Sequence, residues 1–116
     1  MRILICDDEV RYINDLQGYI EEYMTNHGIT YQIDTTTSPN EITESDAVYD
    51  LVFLDIKMPV FDGMDLAYEL KERKSKVVIF FITAFNEYQD MAMDLQVFRF
   101  FEKPFDVNRL YSSLDK

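Results

Sequence analysis

Five short apolar runs punctuate the chain: Arg2 to Cys6 (RILIC), Tyr31 to Ile33, Leu51 to Leu54, Val77 to Ile82 and Val97 to Phe101. Their length and their β-branched and aromatic make-up predict strands. Between them the period changes. Ile13, Leu16, Ile20 and Met24 recur at spacings of three and four, as do Leu66 and Leu70, and then Val107, Leu110 and Leu114. Each set marks one face of a helix. Strand and helix therefore alternate along the whole chain. The runs LVFL and VVIFFI have no polar positions, which is the pattern of parallel strands covered by helices on both faces. The expected fold is an α/β three-layer sandwich.

Punctuation agrees with that order. Ser38-Pro39-Asn40-Glu41 reads as a capping box, with a hydroxyl at the cap, proline at the first helical position and a glutamate three residues on. Gly28 reads as a left-handed stop for the first helix, and Asn86 and Asp106 as caps for the last two. His27 is expected on the surface, favoured by the helix dipole.

At 116 residues the chain suits one domain, 1–116, large enough for a core of its own. Its 22 acids against 11 bases give a net charge of -11. That sign repels a phosphate backbone, so no direct nucleic-acid contact is expected of this segment. Val77 to Ile82, the longest apolar run, is far too short to cross a bilayer, and no membrane partner is expected. The N-terminus lacks the pattern of a secretory signal, so a cytoplasmic protein is expected. Cys6 lies inside an apolar run and reads as a buried structural thiol.

In open parallel sheets ligands bind beyond the carboxyl ends of the strands. There the chain places Asp7, Asp8 and Glu9 after the first strand, Asp55 after the third, Thr83 and Ala84 after the fourth, and Lys103 and Pro104 after the fifth. Crowded carboxylates repel, and a hard divalent cation with oxygen ligands offsets them. Asp8 and Asp55 are the expected Mg²⁺ ligands, with Asp7 acting through water. Lys103 offers an ammonium, and Thr83 a hydroxyl, to phosphoryl oxygens. The set suits phosphoryl transfer, in which a protein supplies position and charge.

Asp7-Asp8, Asp55 with Met58-Pro59 and Gly63, Thr83-Ala84 and Lys103-Pro104 resemble the receiver domain of two-component response regulators over the whole chain. The resemblance implies a flavodoxin-like (βα)5 fold with strand order 2-1-3-4-5. It makes Asp55 the phosphoacceptor, charged by a sensor histidine kinase or a small donor such as acetyl phosphate. It adds the backbone carbonyl of Lys57 to the Mg²⁺ ligands and makes Ala84 the small residue that lets the phosphoryl group enter. Thr83 and Phe100 become the switch pair, acting on the surface of the fourth helix, fifth strand and fifth helix. There Arg99, Phe101, Asn108 and Tyr111 would meet a partner, with a receiver homodimer as one candidate.

The stretch AMDLQVFRFFEKPF is similar to receivers of the LytTR group, which usually carry a DNA-binding module downstream. The 116 residues are therefore expected to be a domain excised from a longer regulator. The alternative is a degenerate receiver that acts as an unphosphorylated interaction module. Two rivals on related chemistry fare worse. A haloacid-dehalogenase-type phosphatase needs an Asp where Lys57 stands, and a flavin binder would set its phosphate against Asp7, Asp8 and Glu9.

Overall fold

A computed structural model of the chain describes residues 1–55, 57–58, 61–83, 99–102 and 107–115. The expectations for Ala84, Asn86, Lys103 and Asp106, and the helix placed after Asn86, lie outside the described residues.

Strand β1 (Arg2–Cys6) leads into helix α1 (Val10–Asn26), then come β2 (Gln32–Thr36), α2 (Pro39–Thr43) and β3 (Leu51–Asp55). A short antiparallel pair, Lys57–Met58 with Phe61–Asp62, carries the chain into α3 (Gly63–Arg73). Strands β4 (Val78–Thr83) and β5 (Arg99–Glu102) and a C-terminal helix (Val107–Leu114) complete the described elements. The five strands form one parallel sheet in the order β2-β1-β3-β4-β5. This is the expected order, 2-1-3-4-5.

The central strands β1, β3 and β4 are apolar because both of their faces are covered. In β1, Leu4 and Cys6 pack on one side with Val52, Leu54, Ile79 and Phe81, beneath Leu66, Ala67 and Leu70 of α3 and Ile42 of α2. Ile3 and Ile5 alternate to the other side with Phe53, Phe80 and Ile82, beneath α1 and Leu110 of the C-terminal helix. The face of α1 expected from the spacing is the one buried: Ile13, Leu16, Ile20 and Met24, joined by Tyr23. Full burial of one such side chain stabilises the fold by about 1.5–3 kcal/mol. No helix among the described residues is long and apolar enough to cross a membrane.

Helix α1 ends as its glycine predicts. Gly28 has φ 65°, its N–H donates to the Thr25 carbonyl at 3.2 Å, and the Ile29 N–H donates to the Met24 carbonyl at 2.9 Å. These two bonds make a Schellman motif. His27 is exposed, with Nδ1 2.9 Å from the Tyr23 carbonyl.

The start of α2 differs from expectation. Proline stands at the first helical position, but the Ser38 hydroxyl makes no capping bond. Thr36 takes over: its hydroxyl accepts the Ser38 N–H at 3.0 Å and lies 2.8 Å from the Glu41 carboxylate, to which it donates. The cap residue and the acid of the motif are thus tied through the last residue of β2. That strand also runs later than its apolar run, to Thr36 and not Ile33, because Arg2 and Tyr49 satisfy Asp34 inside it.

Candidate functional site

Pairing in register sets the site. Cys6 of β1 stands opposite Leu54 of β3, so the next residues, Asp7 just past β1 and Asp55 at the end of β3, come side by side. Asp55 in turn stands opposite Ile82 of β4, which puts Thr83 one step further along the same edge, opposite Glu102 of β5. Both Asp7 and Asp55 are buried and Asp8 is exposed. One carboxylate oxygen from each of the three lies within 4.8 Å of the others.

Local bonds hold the acids there. The Asp7 N–H donates to the Thr36 carbonyl at 3.2 Å, extending the β1–β2 ladder by one residue. An Asp7 carboxylate oxygen accepts the Glu9 N–H at 2.9 Å, which turns the chain into α1. Asp8 lies between these two fixed points, its side chain toward solvent.

The field of this cluster is legible at Cys6, directly beneath it. Burial first, then the charges of Asp7, Asp55, Glu41 and Asp8, push the thiol up to about 12. The thiol is buried and protonated, as its apolar setting predicts. Glu41 is the carboxylate that sequence reasoning missed as part of this field. Its position in the Ser38 motif suggested capping, and the signal for its actual role was the hydroxyl at Thr36.

Two carboxylates about 4 Å apart repel by on the order of 4 kcal/mol at an effective dielectric near 20. An all-oxygen donor set of three acids, two buried and one open to solvent, fits a hard divalent cation that keeps part of its water shell. Of the remaining site expectations, Lys57 lies two residues past Asp55, paired in register with Asp62. Phe100 stands opposite Phe81 in β5.

Comparison with known proteins agrees with this architecture. The family model for the response regulator receiver domain matches residues 3–115. The sensory transduction protein LytR of Staphylococcus haemolyticus is 33% identical over 118 residues, covering all of this chain and 44% of that protein. This chain spans about half the length of the curated relatives it matches. Among solved structures, the response regulatory domain of mrkE from Klebsiella pneumoniae superposes with a TM-score of 0.86 at 26% identity, covering 99% of this chain and 93% of that one. The response regulator TrrA from Thermotoga maritima, solved in complex with Mg(2+)-BeF, matches with a TM-score of 0.72 at 28% identity over 98% of this chain and 96% of its own.

Proposed function

The chain belongs to the response regulator receiver domains, regulatory units of two-component signal transduction, and on that premise we propose that Asp55 is its phosphoacceptor. The observation that carries this reading is the convergence of Asp7, Asp8 and Asp55 on one end of the sheet. A carboxylate oxygen of Asp55 would form the new O–P bond while the P–N bond of a phosphohistidine breaks, its electron pair returning to the imidazole nitrogen of a sensor histidine kinase. A Mg²⁺ ion held by Asp8, Asp55 and the Lys57 carbonyl, with Asp7 acting through water, would supply the positive charge that offsets the carboxylates and the phosphoryl oxygens.

The chain's own groups would do the rest. Thr83 would donate its hydroxyl to one phosphoryl oxygen and Lys103 its ammonium to another, while Ala84 leaves room for the group. Movement of Thr83 toward the phosphoryl group would free space for Phe100, changing the face built on β5 and the C-terminal helix. That face would meet a partner, a second receiver among the candidates. The length of the curated relatives supports an output region beyond these residues in the whole protein, which we propose is a LytTR-type DNA-binding domain controlling transcription in the cytoplasm.

The test is direct. Incubation with acetyl phosphate and Mg²⁺ should add the mass of one phosphoryl group, lost again in alkali. An unchanged mass, with the donor shown to be active, would favour a docking module that is never phosphorylated.

A further inference from the structure

Beside the acid rim lies a cavity of about 280 Å³ between the start of α1, the end of β2 and α2. We propose that this notch recognises a lysine or arginine side chain presented by a protein partner. The proposal goes beyond phosphoryl transfer and does not depend on it.

The floor is built and the rim is charged. Ile13 and Thr36, both buried, close the bottom, and the exposed residues Asn14, Thr35, Thr37 and Glu41 contribute a carboxamide, two hydroxyls and a carboxylate. Glu41 is held in place by the Thr36 hydroxyl at 2.8 Å, and none of the salt bridges among the described residues involves it. A carboxylate fixed in position, with no ion pair among the described residues, is a ready acceptor for an ammonium or guanidinium.

The charged side chain that lines the notch is Glu41, so the wall of the notch is negative in sign. At its lip Val10 is 57% exposed, one of the few large apolar side chains so placed. An apolar lip above a polar, acidic pocket matches a side chain with an aliphatic stem and a cationic head. A bare metal ion would use the carboxylate but leave Val10 without a role.

The full chain, saturated with Mg²⁺ so that the three aspartates are occupied, is titrated with L-arginine amide and followed by ¹H–¹⁵N NMR. L-citrulline amide serves as the neutral near-isostere. The backbone amides of Thr35, Thr36 and Thr37 and the side-chain amide of Asn14 should move saturably with arginine amide and stay still with citrulline amide. Glu41→Gln should weaken the binding at least threefold, and Asn14→Arg, which supplies a cation from the chain itself, should abolish it. Both positions are exposed, and unchanged melting curves would show that the variants fold. Shifts confined to Asp7, Asp8 and Glu9, equal shifts with citrulline amide, or binding unaltered in both variants would each overturn the proposal.

Discussion

Aspartates stand in two settings on the central sheet, and their neighbours differ in sign. Within edge strand β2, Asp34 accepts from the Arg2 guanidinium at 3.0 Å and from the Tyr49 hydroxyl at 2.8 Å, and at the amino end of β3 Asp50 accepts from the Lys74 ammonium and from the Arg2 N–H at 2.8 Å. Burial pushes the Asp34 carboxyl up, but the bonds from Tyr49 and Arg2 outweigh it and hold the group below its usual range. Lys74 first, then the Arg2 N–H, does the same for Asp50. At the carboxyl end the neighbours of Asp7, Asp8 and Asp55 include one another. The same residue type is therefore tied to basic and hydroxyl partners in the first setting, and in the second gathers three carboxylates within reach of one metal ion.

The largest contrast should come from neutralising one aspartate in each setting. Asp55→Asn should abolish phosphoryl incorporation from acetyl phosphate, whereas Asp34→Asn should still accept the group. Incorporation into Asp55→Asn, read by intact-protein mass, would remove the carboxyl end from its role.

Next in size is the response to metal. Mg²⁺ at about 100 times its dissociation constant stabilises the native state by ~2.7 kcal/mol, a rise in Tm of several degrees for a domain of this size. Asp8→Ala should lose most of that rise, while its metal-free Tm equals or exceeds that of the unaltered chain because one repelling charge is gone. A calorimetric scan with and without Mg²⁺ checks both signs. An equal rise in both proteins would place the ion elsewhere.

Loss of a partner in the first setting should act in the opposite direction. Tyr49→Phe removes a hydroxyl donor from a buried ring and should cost about 1–2 kcal/mol in urea unfolding at neutral pH. It should leave the Mg²⁺ increment unchanged.

The smallest effect is a pH dependence. Asp34 and Asp50 have depressed values in the folded state, so their contribution is present above the ordinary carboxylate value of about 3.9 and is lost as pH falls through the folded values. With side chains 31% and 37% exposed, solvent screening limits each to about 1 kcal/mol or less. Lys74→Met should flatten the fall in stability between pH 5 and pH 2 by that amount, measured by urea unfolding across the range.

Legibility in the sequence followed the same division. The alternation of apolar runs and helical faces predicted the layers because burial on both faces leaves a plain signal, the sheet order followed from the motif resemblance, and β1 was found as read. The convergence of Asp7, Asp8 and Asp55 was legible because each follows or ends an apolar run at the carboxyl edge of a parallel sheet. Strand β2 was read too early because it is an edge strand with polar positions, among which Asp34 is satisfied by Arg2 and Tyr49, side chains distant in sequence. Glu41 was misread as the partner of Ser38. A local motif named a local partner, and the actual partner was Thr36, fixed by its pairing with Cys6.

The buried thiol of Cys6 has a practical consequence. Burial keeps reagents from the thiol and, with the nearby charges, pushes it up to about 12, so little of the reactive thiolate is present at neutral pH. The native chain should therefore behave toward maleimides as a cysteine-free background, on which one introduced surface cysteine would carry a fluorophore without competition. Conversely, reagent uptake by the unaltered chain would time the opening of the sheet itself, giving an unfolding clock that needs no added probe.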